Sequence, residues 1–564
     1  MTGTGNVAEL VARHRPTLDA ALAAVGSREF FTHFPEHVKA YPAEGAAEGK
    51  AWFDAALGTE FALDQPGTDG RTGAERSPYG FDLGVSYPHA DPDTLLPALS
   101  AAIPAWRDAG AEVRAAVCIE ILTRLNRRSF EIAHAAMHTS GQAFGMAFQA
   151  AGPHAQDRGL EAVVYAYRAQ TDHAESAVWE KPQGSRPPIR LAKKWRTVPR
   201  GIALVVGCNT FPTWNGYPGL FASLATGNAV LVKPHPGAVL PLAVTVETAR
   251  SVLAEYGFDP NLVALAADGV GPDGASEGLA KTLALRPEVK IIDFTGSTGF
   301  GDWLERNAAQ AQVYTEKAGV NTIVVDSFPA EEYQAALGHL AFSLSLYTAQ
   351  MCTSPQNILV PRDGIRVGGE PKSFEDFAAD LAGAVDGLLG DPAKAGQILG
   401  AVVNPFITER LAKAQSVGKT VLASRSVELP EYPEATVRTP LIAAIDAEDA
   451  EVYTHEWFGP ISFLIGTDST AHSIELYRTT VGAHGALTAA VYSTDESVVD
   501  AAEEATWEAG ANLSVNLTGG IYMNQSAGFS DYHGTGLNPA ANSAYTDAAF
   551  VASRFRRVQS RRPA

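Results

Sequence analysis

Apolar residues change their spacing several times along the chain, and each change marks a new kind of element. From about Leu95 to Met146 they recur every three or four positions. In AGAEVRAAVCIEILTRLNRRSFEIAHAAM the arginines and glutamates fill the opposite face, which predicts helix. Cys118 falls inside this apolar stripe and reads as a packed core residue. Between Arg200 and Glu316 the pattern shifts to short apolar runs: IALVVG (202–207), AVLVKP (229–234), LVALAAD (262–268) and VKIIDFTG (289–296). The intervening GYPGLFASLATG, AVTVETARSVLAEYG and ASEGLAKTLAL carry helical patterns. Strands separated by single helices build βαβ units and a mostly parallel sheet, as in dinucleotide-binding domains. Past Glu316 a second unit begins with NTIVVD as strand, AALGHLAFSLSLYTAQ as helix and QNILVP as strand, and α/β structure continues to about Val515. The fold class is α/β, with a Rossmann-like first unit.

Residues 1 to about 70 lack this regularity and read as an appendage. A helical start is followed by Pro- and Gly-punctuated stretches such as QPGTDGRTGAERSPYG. With 564 residues the chain should divide into two or three domains. A composition 46% hydrophobic and 19% charged is that of a globular protein. The formal charge of −20 argues against sequence-independent nucleic-acid binding, which needs clustered cations. The three cysteines form no C-x-x-C pair, so neither a disulfide framework nor a metal site is expected, and free thiols suit a reducing, cytoplasmic compartment. No basic head with an apolar block opens the chain and no run approaches a transmembrane length, so neither secretion nor membrane insertion is expected. The closing SRFRRVQSRRPA, with Arg554, Arg556, Arg557, Arg561 and Arg562, reads as a solvated charge run without a function.

No G-x-G-x-x-G follows the first strand, and the nearest glycine cluster, GSTGFG (296–301), has different spacing. A dinucleotide would therefore be held in another way. Taken singly, Cys352 reads as a core thiol and Glu316 as a strand-edge carboxylate. Their surroundings change that reading. Phe294-Thr295-Gly296-Ser297, Glu316-Lys317-Ala318-Gly319-Val320-Asn321 and Gln350-Met351-Cys352 follow one another in order. With Lys233-Pro234, Glu456 to Pro460 and Gly510 to Asn516, they resemble the aldehyde dehydrogenase superfamily, whose motifs are F-T-G-S, E-L-G-G-x-N and G-Q-x-C. The resemblance runs from about Tyr79 to Gly536.

That resemblance implies a three-part fold: a cofactor domain over 76–316, a catalytic domain over 317–516, and an oligomerisation segment over 517–564 that works with PPIRLAKKWRTVP (187–199). Residues 1–75 form an extension outside it. It implies a homodimer or homotetramer, and NAD or NADP as cofactor. Cys352 becomes the nucleophile and Glu316 the base. The roles fit the chemistry: a free aldehyde has no oxyanion to expel hydride, a thiolate adduct supplies one, and the thioester left behind needs an activated water. Lys233 is expected at the adenosine ribose, Gly296 and Ser297 at the pyrophosphate, and Glu456 at the nicotinamide ribose with Phe458 beside it. Against these stand plainer readings, Lys233 as a surface lysine and Ser297 as a helix N-cap.

The chain departs from the family in several places. The superfamily's P-W-N-F-P asparagine donates to the oxyanion. An ungapped match on Phe211-Pro212 puts Thr210 there, with Asn209 one residue earlier, so either side chain is a candidate donor. Cys208 beside them reads as packing. His235-Pro236 follows Lys233-Pro234 where NAD-preferring members often carry a glutamate, which leaves NADP open. AGFSDYHGTG replaces the usual P-F-G-G-x-K-x-S-G loop and predicts a different shape. The long N-terminal extension, CNTFPTWNGYPGLFASLATGN, KPHPGAVLPL and YTEKAG look most like the PaaN-type branch of bacterial phenylacetate degradation. That implies oxidation of a ring-opened semialdehyde, with the form still attached to coenzyme A the favoured one. Alternatives are a coenzyme A-acylating enzyme or acyl-CoA reductase, which commonly lacks the glutamate, and a catalytically silent relative.

Overall fold

Five short parallel strands, Val263–Leu265, Ala229–Lys233, Ile202–Val206, Val289–Thr295 and Gln312–Glu316, lie side by side in that order. They belong to a computed structural model that describes residues 6–269, 278–317 and 319–564. Residues 275–277 of the expected ASEGLAKTLAL helix, and Ala318, lie outside the described residues; the helix is seen over Gly278–Ala284. Ile202–Val206 and Ala229–Lys233 are buried along their whole length, which is why they read as unbroken apolar runs. The helix after the first strand spans Pro212–Ala225, beginning before the expected GYPGLFASLATG because Pro212 sits in its first turn.

The second unit is a seven-stranded sheet in the order Lys419–Leu422, Leu441–Asp446, Ile461–Thr467, Asn357–Pro361, Thr322–Val325, Thr488–Tyr492 and Asn512–Val515. Its pairs are parallel except at the Lys419–Leu422 edge. The chain leaves the first sheet at Glu316 and enters the second at Thr322, so Glu316 sits where the two meet. A third sheet stands apart. Ser176–Gln183 and Arg186–Pro199 form an antiparallel hairpin, and Phe555–Pro563 pairs with its longer strand. Val178, Trp179, Ile189 and Val558 are exposed on it. Among the described residues no helix is long and apolar enough to cross a membrane.

Two sequence expectations need correction. The first residues are not an appendage in space. In the helix Val7–Ser27, capped by Asn6, the stripe Leu10, His14, Leu18 and Ala21 is buried. Its apolar members join the main core, and His14 Nε2 meets the buried Glu120 carboxylate at 2.7 Å. The closing arginines are not all solvated either. Arg554 is fully buried, with Nη2 2.5 Å and Nη1 2.8 Å from the two oxygens of Asp293. A sequence run cannot show that its first member faces inward, because the partner lies in a strand far away along the chain.

Candidate active site

The loop carrying Cys352 is strained and then pinned. After the helix Tyr333–Ser345, three consecutive non-glycine residues adopt left-handed backbone: Tyr347 (φ 56), Thr348 (φ 54) and Ala349 (φ 48). Each such residue costs about 1–2 kcal/mol, so neighbouring contacts must hold them. The Tyr347 hydroxyl donates to the Ser140 carbonyl, and Thr348 Oγ1 donates to the Gly400 carbonyl at 2.6 Å. Gln350 Nε2 donates to Ala401 O at 3.0 Å, while its Oε1 accepts from Val403 N at 2.9 Å. Asn321 closes the far side, with Nδ2 donating to the carbonyls of Cys352 (2.8 Å) and Ser354 (3.0 Å) and Oδ1 accepting from Leu487 N and Thr488 N. The motif residues Gln350 and Asn321 thus fix the backbone that presents the thiol.

Around Cys352 Sγ the structure gathers the Glu316 carboxylate and the His533 ring, their polar atoms all within 4.8 Å of one another. Glu316 is buried at the end of its strand; Asn215 Nδ2 donates to Oε2 at 2.9 Å and His533 Nε2 lies 3.0 Å from Oε1. Burial pushes the Glu316 carboxyl up, but His533, the Cys352 thiol and the charge of Arg158 outweigh it and hold it below the usual value. Burial and the adjacent Glu316 charge push the Cys352 thiol well above its ordinary value. Trp214 meets the His533 ring edge-on at 4.6 Å, and the buried Arg158 guanidinium lies 4.0 Å over Trp214.

The thiol opens onto a cavity of about 1880 Å³. Phe144, Met146, Phe211, Trp214, Phe342 and Tyr522 contribute apolar walls. Arg28, Phe30, Phe31 and Thr32 also line it, so the N-terminal residues shape the way in.

Asn209 and Thr210 stand nearby but bond elsewhere. Asn209 Nδ2 donates to Asn404 Oδ1 at 3.0 Å, and Thr210 Oγ1 lies 3.7 Å from Cys208 Sγ. Among the described residues neither side chain is hydrogen-bonded to Cys352. Two participants escaped the sequence reading. Asn215 belongs to the chain's one Trp-Asn pair, in PTWNGYP, which could have flagged it. His533 lies in AGFSDYHGTG, where the departure from the family motif was the signal.

At the residues expected to hold a cofactor, the strands Ile202–Val206 and Ala229–Lys233 are tied where they end, Gly207 N donating to Lys233 O at 2.9 Å. Burial lowers the Lys233 ammonium to about 8 and the neighbouring His235 to about 4. Ser297 caps the helix Thr298–Asn307, its side chain accepting from Phe300 N, and Ser297 itself is exposed. Gly296 N donates to Glu316 O at 3.0 Å, which ties this turn to the strand of the base. Glu456 and Phe458 are half-buried, and the Glu456 charge is felt at Cys352. A buried cation, a helix N-terminus and a half-buried carboxylate are groups of the chemistry that a dinucleotide's ribose and pyrophosphate would need.

Burial lifts the Glu456 carboxyl to about 7, against the pull of Arg410 and a backbone N–H at Gly319. If Glu456 is the residue that accepts ribose hydroxyls, its ionised form is the one that binds. The dinucleotide KM is therefore expected to fall as pH rises through that value and to level off above it. In Glu456→Gln the KM should be higher and flat over the same range. A wild-type KM independent of pH there would remove Glu456 from the cofactor site.

Known proteins resemble this chain in sequence and in fold. The model of the aldehyde dehydrogenase family matches residues 77–549. The NAD(+) benzaldehyde dehydrogenase of Pseudomonas putida is 26% identical over 399 residues, 68% of this chain and 73% of that protein. The 2-aminomuconic 6-semialdehyde dehydrogenase of a Pseudomonas species is 28% identical over 295 residues, 49% of this chain and 54% of that protein. A crystal structure of an NAD-dependent aldehyde dehydrogenase from Burkholderia multivorans superposes with a TM-score of 0.96 at 55% identity, covering 100% of both chains. The 1-pyrroline-5-carboxylate dehydrogenase from Thermus, with bound NAD, shares the fold at 20% identity and a TM-score of 0.74, over 95% of this chain and 99% of its own.

Proposed function

Because the chain belongs to the aldehyde dehydrogenase family through residues 77–549, we propose that it oxidises an aldehyde to a carboxylic acid with NAD or NADP. The observation that carries this reading is the Cys352 thiol facing a large cavity with Glu316 within reach. Cys352 adds to the aldehyde carbon and leaves an oxyanion. A nicotinamide dinucleotide held by Lys233, Gly296, Ser297, Glu456 and Phe458 would accept the hydride that the adduct expels. Glu316, kept ionised and oriented by Asn215, then takes a proton from the water that cleaves the thioester. Asn209 and Thr210 stay as the proposed oxyanion donors, and reaching the oxygen requires them to turn from their present partners. The presence of Glu316 favours release to water over transfer to coenzyme A.

Cofactor choice follows from the end of the strand Ala229–Lys233. His235, uncharged at neutral pH, brings neither the carboxylate that repels a 2′-phosphate nor a second fixed cation that attracts it. Both dinucleotides are accepted in this reading, and the NAD dependence of the Burkholderia neighbour supports NAD as the first to test.

Apolar walls suit an aromatic aldehyde or a ring-opened semialdehyde, in line with the substrates named for the Pseudomonas relatives. A role in phenylacetate breakdown fits the second class. Glu36, Asp157, Asp391, Glu428, Glu431 and Asp531 line the cavity, against Arg28 as its sole Lys or Arg among the described residues. That balance repels the phosphates of a coenzyme A thioester, so the free semialdehyde is the preferred substrate. The exposed apolar residues of the three-stranded sheet support a homo-oligomer assembled through that arm. Three free thiols accord with a cytoplasmic setting.

The test is NAD(P)H formation with aromatic, medium-chain and semialdehyde substrates, free and coenzyme A-linked, for wild type and Glu316→Gln. Glu316→Gln is expected to make about one equivalent of NAD(P)H and then turn over on the order of 10²-fold more slowly. No turnover of any aldehyde by folded wild type would sink the reading. Undiminished steady turnover in the variant would remove Glu316 from hydrolysis.

A further inference from the structure

His533 is a buried imidazole placed against the two reacting side chains through a single nitrogen. Nε2 lies 3.5 Å from Cys352 Sγ and 3.0 Å from Glu316 Oε1, and Nδ1 faces Ser526 Oγ at 3.5 Å. A histidine that only filled space would not need its ring fixed so fully. Trp214 packs edge-on against one side, and Thr353 Oγ1, one residue past the thiol, donates to Asn524 O in the same loop at 2.7 Å. Arg28 reaches in from the N-terminal segment, donating to Ser530 O at 2.7 Å and lying 4.2 Å over the Tyr532 ring. Asn512 Nδ2 holds the Tyr532 carbonyl at 2.9 Å, immediately before His533.

We propose that His533 is the base that removes the Cys352 proton and then remains beside the thiolate as an imidazolium. This deepens the dehydrogenase reading above and rests on it. The proton passes from Sγ to Nε2, no electron changes hands, and the resulting N–H is shared between the thiolate and Glu316 Oε1. Thiolate formation next to a buried carboxylate is opposed by like charge, and burial already disfavours the ionised thiol. A positive partner touching the sulfur offsets both effects. The other groups that bear on the pair are Arg158, Glu456, Cys208 and Tyr545. Only Arg158 among them is cationic, and its guanidinium is stacked on Trp214. This arrangement divides the work: His533 prepares the nucleophile, and Glu316 remains ionised for the water of the second half-reaction.

The test follows alkylation of Cys352 by iodoacetamide against pH, read by mass spectrometry of its peptide so that Cys118 and Cys208 do not interfere. Wild type, His533→Gln and His533→Ala are compared. At neutral pH the Gln variant is expected to react about tenfold or more slowly, with its profile displaced upward by about one pH unit or more. Free imidazole entering through the cavity should restore much of the rate in His533→Ala but not in wild type, a response that a merely structural role would not give. Profiles in both variants that coincide with wild type overturn the assignment, as does a slowed His533→Ala that imidazole leaves unchanged. Aldehyde oxidation by wild type is scored separately. If aldehydes are oxidised and alkylation ignores His533, this assignment fails alone. If no aldehyde is oxidised yet alkylation follows His533, the dehydrogenase reading fails and His533 stands as the base.

Discussion

Cys352→Ala is expected to lose aldehyde oxidation by on the order of 10⁴-fold or more, about 5 kcal/mol or more of barrier, with the fold intact. The size of the loss follows from the order of bond changes. Hydride departs only after an oxyanion has formed on the carbon it leaves, and in this cavity the half-buried Sγ of Cys352 is the atom placed to create it. Replacing sulfur by hydrogen removes no hydrogen bond that holds the loop. Tyr347, Thr348 and Gln350 anchor the approach and Asn321 grips the Cys352 carbonyl, which alanine retains. Stability should therefore change by about 1 kcal/mol or less. Steady-state rates with the best aldehyde measure the first effect, and thermal stabilisation by added NAD shows that the cofactor site survives. Cys208→Ala is the control. Its thiol packs near Asn215 and Thr210, and activity is expected to stay within a few-fold of wild type. Activity of Cys352→Ala within tenfold of wild type would displace the nucleophile, and a collapse in Cys208→Ala instead would name its replacement.

What the sequence made legible was local. Four strands of the five-stranded sheet coincide with apolar runs, because a strand buried in the sheet leaves a hydrophobic signature, whereas the edge strand Gln312–Glu316 carries polar residues and left none. Cys352, Glu316, Gln350 and Asn321 were visible because each sits in a short motif whose neighbours belong to the same turn. Contacts between distant segments were not legible. Asn215 is 101 residues from Glu316 and His533 is 217, and both are joined to it only by the fold. The N-terminal segment looked detachable because its punctuation by glycine and proline hides the buried stripe of Val7–Ser27. Its contribution at Arg28 to the loop of His533 depends on packing that spacing along the chain does not encode. Asn209 and Thr210 show the opposite difficulty. A motif match placed them by position, yet their side chains find other partners once the helix Pro212–Ala225 brings Asn215 to the carboxylate.

Arg554→Ala is expected to destabilise the protein by about 3–5 kcal/mol, the range for removing one partner of a buried ion pair. Arg554 has no exposed surface, and its guanidinium clasps both oxygens of Asp293 on the strand Val289–Thr295. Nη1 also donates to Ser223 Oγ at 2.6 Å, and the cation lies 4.1 Å over the Phe550 ring and 4.5 Å over Tyr314. One side chain thus latches the C-terminal strand Phe555–Pro563 to the helix Pro212–Ala225 and to the sheet that leads into Phe294–Ser297. Alanine would strand the Asp293 carboxylate where water cannot replace the lost donors. Expansion of the helix cannot fill the gap, since even a Cβ at Gly219 would come within 2.4 Å of Asp293. The double variant Arg554→Met with Asp293→Leu should recover much of the loss, because replacing both charges by apolar groups leaves nothing unpaired. Urea titrations of the three proteins measure the difference. A deficit below about 1 kcal/mol in Arg554→Ala would mean that the pair merely breaks even against its desolvation and that the latch lies elsewhere.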